Sequence, residues 1–346
     1  MPQQHRPFAD HPCAASHPEL IAQAQTFLAL AIGPSTRQTY TSGLKSFISF
    51  VDTHGIRPAF PASVQTLCLW ISFLASPPSA VTVGTCKVYL SAVVTRHTEL
   101  GYDHPLADAP PMLSRIMAGI KRMSAQPSRP KLPITTALLE EMRPHLNLQQ
   151  RSDILLWAMM WTATTGLLRI SEFATRGDSD TTRVLSLQQL TLHDQGQRPY
   201  SLADAGSSDE ETQYAILRLT ASKTDPFRAG VDIVLSAPTT LRALLAYGAH
   251  FQPNCTPTTP LFHHPDRTAA TRTWLMKRVD GLLRKTGRDP RQFSSHSFRK
   301  GGAVSLQSIG VEDSLIRRLG RWKSDAFNLY VRDPSFATLI DTNAKL

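Results

Sequence analysis

Residues 153–168, DILLWAMMWTATTGLL, constrain the fold more than any other stretch of this sequence. The segment is apolar around a whole helix circumference, so it has no face to leave in water and must lie inside a core. At 16 residues it is shorter than the roughly 20 that cross a bilayer, and no other apolar run in the chain approaches that length. It therefore reads as the central helix of a globular domain. The 346 residues, 41 % of them hydrophobic, exceed what one core usually covers, so two domains are expected.

The chain before this helix reads as a separate all-helical domain over residues 18–122, with four or five helices. Ser35 is the expected N-cap of a helix in which Tyr40, Leu44, Phe47, Ile48 and Val51 recur at helical spacing and which Gly55 closes. Val64, Leu67, Ile71 and Leu74 form a second stripe, ended by Pro77 and Pro78. Val88, Tyr89, Ala92 and Val93 form a third, and Leu113, Ile116, Met117 and Ile120 a fourth. Residues 1–17 lack periodicity and are expected to be a flexible tail. The proline-rich MSAQPSRPKLP, residues 123–133, is the expected linker, semi-rigid and extended.

Residues 134–346 form the second expected domain. It opens on helical LLEEMRPHLN and the buried run, then alternates as strands do in VLSLQQLTL and YAILRLTASKTDPFRAGVDIVL. The acidic SSDEET between them, residues 207–212, reads as a solvated hairpin loop, and from about residue 239 the pattern is helical to the end. The expected fold class is mainly α with a small antiparallel β-sheet in the C-terminal domain.

A formal charge of +10 attracts phosphate polymers or anionic membranes, while saying nothing of fold. The N-terminus lacks a basic start followed by an apolar stretch, so no secretory signal is expected. Cys13, Cys68, Cys86 and Cys255 are scattered without a CxxC pair and read as reduced thiols of an intracellular protein. His263, His264 and Asp266 lie together in a proline-rich loop, and no metal is expected there.

Four segments of the second domain carry chemistry. TGLLRISEF places Arg169 at the end of the buried helix with Glu172 three residues on, an arrangement that is ordinarily a weak surface pair. RLTASKTDPFRAG places Lys223 at a hairpin turn. HSFRKGGAVSL sets His296 and Arg299 three apart, on one face if helical, with Phe298, Ala303, Val304 and Leu306 as apolar support. LIRRLGRWKSDAFNLYVRD holds Trp322 and Tyr330, with Leu315, Ile316, Leu319, Phe327 and Leu329 as expected packing residues. Each alone is ordinary.

In this order, the segments make the chain resemble the tyrosine recombinases, or phage integrase family, in a form most similar to the recombinases of eukaryotic mobile elements. The family pattern is Arg, hairpin Lys, His-x-x-Arg, His or Trp, then Tyr. The resemblance implies Arg169, Lys223, His296, Arg299, Trp322 and Tyr330 as catalytic residues, with Glu172 in support. It departs from the pattern in three places. Trp322 replaces the commoner His, the Trp-to-Tyr interval of eight is about one residue short of many bacterial members, and the acidic loop is long.

What the resemblance implies is DNA strand cleavage through a 3′-phosphotyrosine and rejoining by the freed 5′-hydroxyl, with no cofactor and no metal. The implied partner is double-stranded DNA, held by a homotetramer on paired sites, and the implied setting is integration or excision of a mobile element. The location would be the nucleus in a eukaryotic host, or the cytoplasm or nucleoid in a bacterial one. Guanidinium groups suit this reaction because they stay charged and meet phosphate oxygens in pairs as negative charge grows in the transition state. A phenol with a pKa of about 10 needs cations and a base such as His296 to become a nucleophile.

The helical domain is similar to the family's core-binding domain, so the two domains are expected to close on DNA as a clamp. Arg37, Lys45, Lys87, Arg96, Lys121 and Arg122, with Arg129 and Lys131 of the linker, are the expected phosphate contacts. Two rivals remain: a monomeric type IB topoisomerase, and a domesticated DNA-binding protein without catalysis.

Overall fold

The computed structural model describes residues 8, 11, 13–78, 80–107, 111–123, 130–177, 184–205, 211–220, 230–250 and 255–322. Lys223, Arg129, Phe327, Leu329 and Tyr330 lie outside them. The chain divides into two compact units, Met1–Ser128 and Arg129–Leu346.

The first unit is helical throughout: α1 Cys13–Ser16, α2 Pro18–Leu30, α3 Pro34–Thr53, α4 Val64–Ala75, α5 Val83–Glu99 and α6 Met112–Met123. The described part of the expected tail thus contains one helical turn. Pro34 starts α3 because its fixed φ suits a first turn and its missing N–H is no loss there, so the N-cap is Gly33 rather than Ser35. Side chains do cap α4 and α5, where Ser63 and Thr82 accept from the N–H groups of Thr66 and Thr85.

The apolar stripes meet in one core, with Phe47, Val51, Leu67, Trp70, Ile71, Cys86 and Val93 buried. Two expected stripe members are exposed instead, Ile48 at 37 % and Val88 at 39 %. Both sit at the edge of their stripes, where helical spacing does not tell core from rim.

The second unit builds around α8, Arg151–Thr165, in which every residue from Asp153 to Thr164 is buried. Helix α7, Thr136–Met142, precedes it and α9, Ile170–Phe173, follows. Four antiparallel strands come next: β1 Leu190–Asp194, β2 Pro199–Ser201, β3 Thr212–Leu219 and β4 Val231–Leu235, in the order β2-β1-β3-β4. Period-two alternation turns Leu190, Leu192, Ala215, Leu217, Leu219, Ile233 and Leu235 into the same core as α8.

The strand expected over residues 184–192 begins only at Leu190, because Leu187–Gln189 forms a 3-10 turn. Strand β2 was not legible, being three residues opening on a proline. The last helices are α10 Pro238–Gly248, α11 Arg272–Lys285, α12 Ser297–Ser308 and α13 Asp313–Leu319. The chain after residue 239 is not continuously helical. Between α10 and α11 it makes isolated bridges, Ser186 with Pro260 and His263 with Ala269.

Candidate active site

The site begins where the buried helix ends. Gly166 caps α8, and Leu167 follows in the left-handed region at φ 47°. This reversal keeps Leu168 in the core and sends the chain out, extended, through Arg169. Arg169 thus stands just past the end of the buried helix, as the residue that caps α9. The Glu172 carboxylate accepts its backbone N–H at 2.8 Å and its guanidinium at 2.9 Å.

This is no surface pair: the Glu172 side chain is 4 % exposed. A carboxylate buried that deeply requires cations beside it. Sequence reasoning missed the second one. Arg321 places Nη2 at 3.0 Å from the other Glu172 oxygen and 3.2 Å from the Leu167 carbonyl. Its one sequence signal was a basic residue between Gly320 and Trp322, which a solvated surface explains equally well.

The His-x-x-Arg segment arrives from α12. A Cβ on Gly301 would stand 1.7 Å from the Ile134 carbonyl oxygen, and one on Gly302 would stand 2.0 Å from that of Thr164 in the last turn of α8. Only glycine permits so close a backbone approach. Arg299, in the first turn of α12, thereby reaches the loop after α8. Its guanidinium donates to the Leu167 carbonyl at 2.5 Å and to the Gly320 carbonyl, and its carbon lies 4.4 Å from the Trp322 ring centroid. Arg299 is buried, 2 % exposed, beneath that indole.

His296 stands at the start of the helix that carries Arg299. It is the N-cap residue, outside the first turn, and it is exposed. Protein atoms crowding its ring, then the charges of Arg299, Arg272 and Arg169, hold its pKa below the ordinary histidine value. The neutral imidazole is thus favoured near neutral pH.

Trp322 packs against the buried cluster of Leu167, Ala303 and Ile316, as do Leu306 and Val311. Of the other expected packing residues, Leu315 and Leu319 are instead 44 % and 46 % exposed. Five of the seven expected residues, Arg169, Glu172, His296, Arg299 and Trp322, are described, and they come from three segments far apart in sequence. Lys223 belongs to the connection between β3 and β4, whose ends, Leu219 and Val231, face each other in register.

Comparison with solved structures gives the fold. The XerH site-specific recombinase bound to palindromic difH substrate superposes with a TM-score of 0.60 at 14 % identity, over 97 % of this chain and 85 % of that one. The Tn1549 transposon integrase in complex with a circular intermediate DNA gives 0.54 at 12 % identity, over 91 % and 95 %. The lambda integrase dimer bound to a COC′ core site gives 0.52 at 14 %, over 91 % and 77 %. The chain has the tyrosine-recombinase fold. Neither the protein-family models nor the curated protein sequences give a match.

On this tyrosine-recombinase fold the expected phosphate contacts divide. Lys45, Lys87, Lys121 and Arg122 are exposed. Arg37 and Arg96 are both engaged by Glu99, and Lys131 donates to the Arg291 carbonyl. The second unit adds cations that sequence reasoning did not select: Arg176, Arg272, Lys277 and Arg284 line an open cleft. The backbone N–H of Arg272 bonds the Thr175 carbonyl, which ties the start of α11 to the segment carrying Arg169 and Glu172.

His263 is buried, and its ring meets the Tyr247 hydroxyl at 3.1 Å and the Pro260 carbonyl at 2.8 Å. Among the described residues no group of three His, Cys, Asp or Glu side chains stands ready to hold a metal. No described helix is long and apolar enough to cross a membrane.

Proposed function

We propose that this chain is a site-specific DNA recombinase that cleaves and rejoins strands through a 3′-phosphotyrosine at Tyr330, serving the integration or excision of a mobile element. The observation that carries this reading is the convergence of Arg169, Glu172, His296, Arg299 and Trp322 around the loop after α8. The three solved proteins compared above are described in complex with a circular intermediate DNA, a COC′ core site and a difH substrate, which favours DNA as the partner here.

In this mechanism Arg169 and Arg299 hold the equatorial phosphate oxygens and stabilise the charge that develops on them. Arg299 exchanges its carbonyl partners for phosphate when DNA binds. His296, neutral at working pH, accepts the phenolic proton of Tyr330, and Lys223 on the hairpin protonates the leaving 5′-oxygen. Trp322 keeps the Arg299 plane in place. The bond energy is kept in the phosphotyrosine, so no ATP or metal enters the scheme.

The exposed lysines and arginines of the first unit, with Arg129 and Lys131, grip phosphates. Four subunits act on two paired sites, in the nucleus of a eukaryotic host or the cytoplasm or nucleoid of a bacterial one.

The test uses a duplex of the element's terminal repeat, nicked so that the cut end diffuses away. The protein forms an SDS-resistant covalent adduct with it, and Tyr330→Phe loses the adduct while keeping its DNA affinity. An adduct that persists in Tyr330→Phe overturns the assignment.

A further inference from the structure

Three guanidinium groups, those of Arg169, Arg299 and Arg321, gather around one buried carboxylate, Glu172, and one buried carbonyl, that of Leu167. The recombinase chemistry proposed above uses only two of them. Arg321 lies on a backbone of positive φ, 57°, which an L-residue adopts at a cost. That conformation turns its side chain inward, where it is 12 % exposed and meets both Glu172 and the Leu167 carbonyl. A basic residue held in a strained backbone and buried among specific partners is placed there by the fold, not left on the surface.

We infer that Arg321 is a positioning residue which takes up the charge of Glu172 and so leaves Arg169 net cationic for phosphate. This inference rests on the recombinase reading. Glu172 presents two oxygens: one receives Arg169 at 2.9 Å and the other Arg321 at 3.0 Å. With Arg169 as its sole cation, the carboxylate would cancel the charge that Arg169 must offer to the reacting phosphate. With Arg321 on the second oxygen, three guanidinium groups stand against one carboxylate, and the net charge of the cluster rises from one positive to two.

Arg321 also protects the Leu167 carbonyl. That oxygen accepts from Arg299 at 2.5 Å and from Arg321 at 3.2 Å. When Arg299 turns to phosphate, Arg321 keeps the buried acceptor bonded, which removes the cost of stranding it. Arg321 touches no substrate in this scheme; it acts through Glu172 and Arg169.

The test is charge compensation, read as the single-turnover rate of adduct formation on the nicked duplex. Wild type and Tyr330→Phe run beside it: absence of an adduct in wild type counts against the recombinase reading, not against the role of Arg321. Arg321→Gln should cleave about tenfold more slowly or worse, with DNA affinity within about twofold. Adding Glu172→Gln to Arg321→Gln removes the carboxylate that now burdens Arg169, and should recover most of the lost rate.

A purely structural role predicts the reverse, because the double variant loses two buried partners and should be the less stable and the slower. Arg321→Lys, which keeps the charge without the planar fork, should fall between wild type and Arg321→Gln. Cleavage by Arg321→Gln at the wild-type rate would overturn the inference. So would a double variant no faster than the single one.

Discussion

Leu167 ties the site together through its backbone. Its φ of 47° costs about 1–2 kcal/mol for a residue with a Cβ, yet its side chain is buried with Ala303 and Ile316. Leu167→Gly relieves the strain but empties that cluster, a loss of roughly 2–5 kcal/mol for a large-to-small core change. The variant should be destabilised by about 1–3 kcal/mol net, read from urea unfolding. His97 offers a second test in the first unit. It is buried, accepts the Ala62 N–H through Nε2 at 2.9 Å, and has its pKa lowered from 6.5 chiefly by burial. The folded chain therefore keeps it neutral while the unfolded chain protonates it, so stability is present above pH 6.5 and declines as pH falls below that value. In His97→Gln, which keeps an acceptor and cannot titrate there, that part of the decline between pH 7.5 and 5.5 should disappear from denaturation curves.

Helix α12 reaches the site only because its glycine pair lies flat on α8 and on the segment before α7. Gly302→Ala pushes a methyl group to 2.0 Å from the Thr164 carbonyl oxygen, which is backbone and cannot rotate away. We expect it to cost about 3 kcal/mol and to displace Arg299, so that cleavage falls together with the melting temperature. The β3–β4 hairpin is the second element with a stated task. If Lys223 supplies the leaving-group proton, Lys223→Ala should cleave ordinary DNA slowly. It should be restored by a 5′-phosphorothiolate, whose thiolate leaves without a proton. No restoration would remove Lys223 from that role.

Across the whole molecule the surplus of positive charge, +10, acts at long range on a polyanion. If about six phosphates are neutralised, the logarithm of the DNA association constant should fall with the logarithm of salt concentration at a slope near −5. A flat dependence would speak against the phosphate grip assigned to the exposed lysines. Adduct formation should be indifferent to EDTA, since no step is routed through a metal. On paired sites the protein should sediment as four subunits, whereas a swivelling topoisomerase would relax supercoils as a monomer.

The sequence by itself determined the helical first unit, the buried α8, the β3–β4 hairpin and the order of the motif residues. All of these are written in local signals: apolar periodicity, proline breaks, and short motifs such as His-x-x-Arg followed by paired glycines. Only the tertiary structure decided that Glu172 is buried, that His296 is the N-cap of its helix, and that Arg321 belongs to the site. The physical reason is common to all three. A charged residue has the same sequence signature on a solvated surface as beside a buried carboxylate, and what separates them is the partner brought up by a distant segment. Residues 166–172, 296–302 and 320–322 meet because glycines let backbones touch and left-handed residues turn carbonyls and side chains inward. Those are properties of packing between segments, and no spacing within one segment carries them.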